Sequence, residues 1–302
     1  MRDRPGDRGT DGRTTVVVIT RNRRESLIRT LDHLQSLPER PPVIVVDNGS
    51  SDGTGTAVRA HPCEAELLCP GRNTGALGRN LAARRATTPY VAFSDDDSWW
   101  EPGALKAAAA LFGTFPRLGL LAARTVVEPD GADDRINTVL AGSSLPMRAD
   151  LPGRPVLGFL GCSAVVRRSA FLAAGGYHPL LFFGAEETLL AYDLTAAGWG
   201  VVYESSLVSH HAPDPGERPG RTTRMRRNAL LTAWLRRPLP VAARESGRLL
   251  GEWSRGDTEA GRALREALVR VPAALRGRRR LPGWVEDQIR LLESEPARGR
   301  AR

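Results

Sequence analysis

Cysteine is scarce in this sequence of 302 residues, and its placement argues against structural sites built on sulfur. Cys63, Cys69 and Cys162 form neither the CxxC spacing of a zinc site nor the dense, even pattern of a disulfide framework. Cysteines used in this way are typical of free thiols in a reducing compartment.

Long apolar runs are also missing. The most apolar stretch, residues 104–112, is interrupted by Lys106 and is much shorter than the roughly 18 residues of a membrane-spanning helix. The first 13 residues are charged and glycine-rich and lack the apolar segment of a secretory signal. We therefore interpret residues 1–13 as a disordered leader and expect a cytoplasmic protein.

Several well-known binding motifs are absent too. The sequence has neither the GxGxxG of a dinucleotide fingerprint nor the GxxxxGK[ST] of a P-loop. Zinc-finger spacing and aromatic RNP motifs are likewise missing, so no nucleic-acid partner is expected.

Arginine, by contrast, is abundant toward the C-terminal end. The net charge is +9, and residues 218–302 contain 21 arginines against 9 acidic residues, which leaves the preceding residues slightly negative. A basic segment of this kind is typical either of a solvated helical surface or of contact with a nucleic acid, an anionic lipid or a phosphorylated acceptor. Hydrophobic residues make up 41% of the chain, which is enough for a sizeable core.

Strands and helices alternate along the first hundred residues. Short runs rich in β-branched residues predict buried strands, and the segments between them have the apolar spacing of amphipathic helices. The predicted strands are 15–20, 43–47, 65–68, 90–97, 156–166 and 200–203. The pattern predicts an α/β fold with a mostly parallel sheet flanked by helices, followed by a helical C-terminal extension.

Three of the predicted strands end in polar side chains. Thr20, Asp47 and the cluster Asp95–Asp97 each stand at the carboxyl end of a strand, where open α/β sheets bind their ligands. Three consecutive carboxylates repel one another unless a cation compensates them, and Mg²⁺ or Mn²⁺ shared with a diphosphate is a suitable partner. An acidic turn that caps the helix after Pro102 is the alternative explanation.

Four segments in order, VVVITRNR, VIVVDNGSSDGT, GRNTGALGRN and YVAFSDDDSWW, resemble the family-2 glycosyltransferases of the GT-A fold. The resemblance covers about residues 14–210, and it implies that the acidic cluster is the family's DXD motif. By resemblance, Thr20 and Asp47 contact the nucleotide base, and Asn73, Gly75 and Arg79 line the donor pocket. The resemblance also implies that Asp95 faces the ribose and binds the metal, that Asp97 binds the metal, and that Asp96 lies between them.

The segment FFGAEETLLAYDLTAAGW, residues 182–199, resembles the part of the family that carries the general base. Glu187 falls at the base position with Glu186 before it, and Leu189 replaces the usual second aspartate. Such a base takes the proton of the acceptor hydroxyl as its oxygen attacks the anomeric carbon. The choice between Glu187 and Glu186 stays open, and a charged first helical turn is the simpler alternative.

Two pairs of neighbouring residues leave further alternatives open. His210-His211 follows the last predicted strand, where by resemblance a histidine completes the metal shell, although a hydrogen-bonded surface pair would give the same pattern. Trp99-Trp100 suits either stacking on a sugar or base, or packing.

The sequence therefore predicts a GT-A glycosyltransferase domain at 14–210 and a basic, helix-rich extension at 211–302. We expect metal-assisted, inverting transfer from a UDP-, GDP- or dTDP-sugar to a hydroxyl on a glycan, lipid or small molecule, with Mg²⁺ or Mn²⁺ as cofactor. The extension would allow peripheral contact with an anionic membrane at its inner face. The alternatives are a nucleotidyltransferase on a similar sheet and a non-catalytic basic binding protein that retains the fold.

Overall fold

The computed structural model describes residues 12–214, 216 and 219–294. The predicted leader, residues 1–13, therefore lies outside the described residues except for its last two. Arg13 is already part of the sheet edge, because its carbonyl accepts a hydrogen bond from the backbone N–H of Tyr90 at 3.1 Å.

Strands and helices alternate through most of the described chain, and a run of helices follows the last strand. The strands are β1 (Thr14–Thr20), β2 (Val43–Asp47), β3 (Glu66–Leu68), β4 (Tyr90–Asp95), β5 (Ser98–Trp100), β6 (Leu118–Val127), β7 (Ala132–Asp133), β8 (Arg154–Pro155), β9 (Ala164–Arg167) and β10 (Gly200–His211). The helices are α1 (Arg24–Ser36), α2 (Thr54–Ala60), α3 (Leu77–Arg85), α4 (Ala104–Thr114), α5 (Arg135–Ala141), α6 (Arg168–Ala173), α7 (Glu186–Ala196), α8 (Arg221–Arg236), α9 (Leu239–Ser254), α10 (Thr258–Leu268), α11 (Val271–Arg276) and α12 (Gly283–Ser294).

Four strands, in the order β3-β2-β1-β4, form a parallel half of the sheet. The β-branched runs of β1 and β2 are buried along their whole length, as expected for strands covered on both faces. The register pairs Thr20 with Asp47 and Ile19 with Asp95, so three neighbouring strands end at one edge. The predicted convergence of these strand ends is confirmed.

The rest of the sheet is mixed rather than mostly parallel. β9 runs antiparallel to both β4 and β6, and β6 pairs in parallel with β10. The mixed sheet and its flanking helices confirm the predicted α/β class. The strand predicted at 156–166 is wrong except for its end, because β9 begins at Ala164 and residues 156–163 form an irregular segment. That segment contains Gly161, whose backbone passes close to the Glu187 carboxylate.

The two faces of the sheet bury separate cores. Val17 and Ile19 belong to one hydrophobic cluster, whereas Val16 and Val18, which point to the other face, belong to a second. A third cluster includes residues of α7 and of the helices after β10, among them Leu189, Leu231 and Leu249. The C-terminal helices are therefore packed onto the sheet domain through α7.

The helical C-terminal extension predicted from the sequence is confirmed, and within the described residues it contains α8, α9, α10, α11 and α12. In the described part of the chain, none of the helices is long and apolar enough to cross a membrane.

Candidate active site

One part of the candidate site, where by resemblance the nucleotide binds, lies at the carboxyl ends of β1 and β2. Thr20 and Asp47 are both more than nine-tenths buried and stand opposite each other in the register. The Asp47 carboxylate accepts a hydrogen bond from the backbone N–H of Ser50 at 2.8 Å, which fixes the turn after β2. The two residues therefore provide adjacent polar groups at a rigid edge of the sheet.

Arg23 balances part of the charge of the acidic cluster. Its guanidinium contacts Asp96 at 2.7 Å and Asp97 at 2.9 Å, and it also reaches the exposed Asp214 at 2.7 Å. Burial raises the pKa of Asp96 to about 7, while Arg23 opposes the rise and the neighbouring carboxylates add to it. Sequence reasoning expected a cation here but missed Arg23, although it lies in the quoted segment VVVITRNR.

One of the two histidines faces this cluster. His211 places Nε2 at 3.5 Å from Oδ1 of Asp97. His210 points to the other face of β10, where its ring nitrogens meet Glu101 at 2.6 Å and Glu128 at 2.8 Å. The structure therefore brings His211, and not His210, to Asp97.

The tryptophan pair is used in packing. Trp100 is buried, and Trp99 stacks between the rings of His33 and His210, with centroids 3.9 Å and 5.6 Å away. Because both faces of Trp99 are covered by other rings, the packing alternative is favoured over stacking on a sugar or base.

Asn48 links the turn after β2 to the loop that by resemblance lines the donor pocket. Its side-chain oxygen accepts hydrogen bonds from the N–H and hydroxyl of Thr74 at 3.0 and 2.7 Å, and its amide donates to the carbonyl of Gly75 at 3.3 Å. Asn73 accepts a hydrogen bond from the N–H of Gly75 at 3.0 Å. Asn48 lies in the quoted segment VIVVDNGSSDGT, but its role in the loop was not predicted.

A glycine is required at position 75 because two loops approach each other closely there. Its φ is 57°, and a Cβ at this position would stand 2.4 Å from the carbonyl oxygen of Phe182. The neighbouring N–H of Ala76 donates to the same oxygen at 2.7 Å. The loop 73–76, which by resemblance lines the donor pocket and is called the donor loop below, is therefore joined directly to the loop that precedes α7.

Arg79 connects the acidic cluster to α7 from inside the protein. Its side chain is 1% exposed, forms a hydrogen-bonded ion pair with Asp95 and stands 4.0 Å from Glu186. The guanidinium also lies over the rings of Phe93 and Tyr177, 5.9 and 5.5 Å from their centroids. Burial acts to lower the pKa of Arg79, but Asp95 and the other nearby acidic groups raise it above its ordinary value. Arg79 is thus a permanently charged cation between Asp95 and the start of α7.

Glu186 and Glu187 begin α7 and differ in exposure. Glu186 is 1% exposed, whereas Glu187 is only partly buried. Burial raises the pKa of both carboxyls above the ordinary glutamate value, and Arg79 opposes the rise in each case. A Cβ at Gly161 would lie 2.9 Å from Oε1 of Glu187, so a glycine at this position leaves room for the carboxylate. Of the two residues, Glu187 is the more exposed.

The ligand set at the cluster suits a metal ion shared with a substrate. Among the residues that the structure describes, no group of three or more His, Cys, Asp or Glu side chains could hold a metal ion by itself. Asp97 and His211 nevertheless offer one oxygen and one nitrogen 3.5 Å apart. Because Mg²⁺ is usually held by one or two carboxylates together with substrate phosphates, and Mn²⁺ also accepts imidazole, the pair fits such an ion.

Comparisons of the sequence identify relatives with a known activity. The model of glycosyl transferase family 2 matches residues 15–173, slightly more than half of the chain. The N-acetylglucosaminyl-diphospho-decaprenol L-rhamnosyltransferase of Mycobacterium tuberculosis (strain ATCC 25618 / H37Rv) is 31% identical over 241 residues. These residues cover 68% of this chain and 78% of that protein.

Two solved structures share the fold. A mannosyltransferase from Pyrobaculum calidifontis, in complex with GDP-Man and Mn²⁺, has a TM-score of 0.59 at 21% identity and covers 97% of this chain and 79% of its own. S. aureus TarS in complex with UDP-GlcNAc has a TM-score of 0.57 at 18% identity and covers 73% of this chain and 65% of its own. Both confirm the GT-A architecture predicted from the sequence.

The family match decides among the predicted functions, because it favours sugar transfer over nucleotidyl transfer and over a non-catalytic binding role. Together with the GT-A fold, it shows that this chain belongs to glycosyl transferase family 2 and transfers a sugar from a nucleotide-sugar donor.

Proposed function

We propose that this enzyme moves a hexosyl group from a UDP-, GDP- or dTDP-sugar to a hydroxyl of a lipid-linked glycan, with inversion at the anomeric carbon. The observation that carries the proposal is the set of acidic side chains around the buried Arg79. Arg79 pairs with Asp95 at the end of β4 and lies near Glu186 and Glu187 at the start of α7. The lipid-linked acceptor is supported by the mycobacterial relative, whose name specifies a diphospho-decaprenol acceptor.

In this displacement the acceptor oxygen bonds to the anomeric carbon while the bond from that carbon to the diphosphate oxygen breaks. Glu187 takes the acceptor proton, because it is the more exposed of the two glutamates and its pKa is raised toward the range of a working base. Thr20 and Asp47 bind the nucleotide base, and Asp95, held by Arg79, faces the ribose.

Glu186 has a supporting role in this proposal. It is almost fully buried, and Arg79 is the cation nearest to it at 4.0 Å. Burial and the neighbouring Glu187 raise the pKa of Glu186 well above its ordinary value, while Arg79 opposes the rise. The longer glutamate side chain at the base position is accommodated by the glycine at position 161.

A divalent cation, Mg²⁺ or Mn²⁺, completes the proposed donor site. Asp97 and His211 would hold it, with Asp95 and Asp96 contributing negative charge nearby. When bound, such an ion offsets the charge that develops on the departing nucleoside diphosphate. The Mn²⁺ in the mannosyltransferase structure of similar fold supports this choice.

The helical extension, residues 211–302, gives the enzyme a surface for its acceptor's membrane. Its helices carry arginines in excess and also large apolar side chains that are more than one-third exposed. Among these exposed apolar residues are Leu239, Leu250, Trp253, Leu268, Val269 and Trp284. Basic and apolar residues together favour peripheral contact with an anionic bilayer. Sedimentation with anionic but not neutral vesicles, weakened by salt, is the expected result.

Product analysis tests the proposal. The purified chain is incubated with UDP-, GDP- and dTDP-sugars and a polyprenyl-diphosphate-N-acetylglucosamine acceptor, with and without Mn²⁺. We expect one donor to yield a nucleoside diphosphate and a glycosylated lipid, with the anomeric configuration inverted in the product. Release of pyrophosphate, or no turnover with any donor or metal, would contradict the proposal.

A further inference from the structure

The loop that leads into α7 has an unusual backbone. Phe182 and Ala185 both adopt φ = 61°, and Gly184 adopts φ = 91°. Side chains other than glycine rarely occupy this left-handed region, and a bulky residue such as phenylalanine is a clear exception. A segment with two such residues only three positions apart needs surrounding contacts to hold it. Its last residue, Ala185, directly precedes Glu186 and Glu187.

One buried amide on α8 holds most of this loop. The Asn228 side chain is 0% exposed, and its Nδ2 donates to the carbonyls of Leu181 at 2.7 Å, Phe183 at 3.2 Å and Gly184. Two amide hydrogens serve three acceptors, so one of them is shared. Arg227 adds a fourth contact, since its Nη2 donates to the Leu181 carbonyl at 3.2 Å.

Helix α8 also fixes α7 beyond the loop. Arg236, which is 1% exposed, binds Asp193 of α7 through two hydrogen bonds of 2.5 and 2.8 Å. Leu189 and Leu231 lie in the same buried cluster. On its other side the loop accepts the Ala76 N–H at the Phe182 carbonyl, so it joins α8, the donor loop and the proposed base.

We propose that Asn228 is a positioning residue for catalysis: its amide holds the loop 181–185 in the conformation that aims Glu187 at the acceptor. The C-terminal extension is then part of the catalytic apparatus, not an appendage that only increases affinity for a membrane. The inference rests on the proposed role of Glu187, and it names a residue that does not itself touch a substrate.

Two variants remove the amide donors in different ways. Asn228→Asp replaces the NH₂ group by an oxygen that repels the three carbonyls, and Asn228→Leu removes the donors with a similar shape and no charge. Thr232→Val is the matched control, because Thr232 is buried one turn further along α8 and its hydroxyl makes no hydrogen bond within the described residues.

The readouts are kcat, the Kd of the nucleoside diphosphate, and hydrogen exchange of segment 181–187. We expect both Asn228 variants to lower kcat about 10- to 100-fold, because a small misplacement of a catalytic group has effects of this size. The Kd should change less than about threefold, and exchange in 181–187 should rise while that in α9 and α10 does not. Thr232→Val should match the unmodified chain in all three.

Three results would overturn the proposal. They are unchanged kcat in both Asn228 variants, unchanged exchange in 181–187, or equal gains in exchange throughout the C-terminal helices, which would show a merely structural role. The hydrogen-exchange comparison is independent of turnover. If the unmodified chain transfers no sugar, the proposed function fails, whereas the exchange data still report whether Asn228 holds the loop.

Discussion

The proposed active site has a nucleotide side and a base side, and the two are built by different means. On the nucleotide side, Thr20, Asp47 and Asp95 stand at the ends of neighbouring parallel strands whose register is fixed by fully buried Val and Ile residues. On the base side, Glu187 stands at the start of a short helix, after a loop of left-handed residues that a helix of the C-terminal extension holds from outside. The first side derives its precision from a sheet, and the second from a few polar contacts that are distant in sequence.

The buried Arg79 is the direct connection between the two sides. It pairs with Asp95 on one side and stands 4.0 Å from Glu186 on the other. We therefore expect changes on the base side to lower the rate of the chemical step, and changes on the nucleotide side to weaken binding of the donor.

The largest effect should come from the base. Glu187→Gln removes proton acceptance but keeps the shape, so we expect kcat to fall about 1,000-fold with little change in donor Kd. Glu186→Gln should lower kcat less than about tenfold, because Glu186 is almost fully buried. Steady-state kinetics of the two variants side by side measure this. Equal losses in both would remove the distinction between the two glutamates.

The next largest effect should come from Arg79, which connects the two sides. Arg79→Met leaves Asp95 and Glu186 without their buried cation, and we expect it to lower the free energy of unfolding by about 3–5 kcal/mol. Arg85→Met, which removes an exposed ion pair with Glu66, should lower it by less than about 1 kcal/mol. Urea denaturation of both variants gives the comparison. Similar losses of unfolding free energy in the two variants would show that Arg79 is not the link between the two sides.

A smaller effect separates the two histidines. His211→Ala should raise the Mn²⁺ concentration needed for half-maximal transfer about tenfold or more, because His211 is the histidine near Asp97. His210→Gln should leave it within about twofold, since His210 binds Glu101 and Glu128 on the other face of β10. Metal titrations of transfer activity test both. If the metal dependence of transfer changed with His210 and not with His211, the metal would lie away from Asp97.

The smallest effect is a pH-dependent change in stability. Burial raises the pKa of Glu186 well above 4.5, so above that pH the folded chain holds a proton that the unfolded chain has lost. Stability therefore falls as pH rises from about 4.5 toward the raised pKa, and Glu186→Gln removes this loss. We expect no gain at pH 4 and a gain of at least about 1 kcal/mol at pH 8. A gain independent of pH would contradict the raised pKa.

On the nucleotide side the grouping of residues could be predicted, because the place of each residue depends on the strand that directly precedes it. The β-branched runs define the strands, and carboxyl ends of parallel strands must meet at one edge, so Thr20, Asp47 and Asp95 could be grouped without a structure. The role of Asp97 as a metal ligand stays a prediction.

The base side could not be derived in the same way. The apolar run at 156–166 has the composition of a strand, but residues 156–163 leave the sheet and pass the Glu187 carboxylate at Gly161. The predicted strand at 200–203 continues to His211, and only its full length shows which histidine faces Asp97. Such facts depend on tertiary contacts that the spacing of residues does not encode.

The departure at Leu189 has a physical reason in the structure. The family pattern has an aspartate at this position, and its absence left open a non-catalytic protein. Leu189 is 1% exposed and lies in the cluster with Leu231 of α8, so the position serves packing against the extension. Asn228 contacts a loop 44 to 47 residues earlier in the chain, a distance over which sequence patterns give no signal.

The most direct test of the two-sided account is ligand-induced stabilisation in three proteins: the unmodified chain, Asp97→Asn and Glu187→Gln. Each is heated with a panel of nucleoside diphosphates, with and without Mn²⁺. A bound ligand at a hundredfold excess over Kd raises stability by about 2.7 kcal/mol. The account predicts a Mn²⁺-dependent rise in Tm for the unmodified chain and for Glu187→Gln, and none for Asp97→Asn. A rise that survives in Asp97→Asn, or disappears in Glu187→Gln, would contradict the separation of binding and chemistry between the two sides.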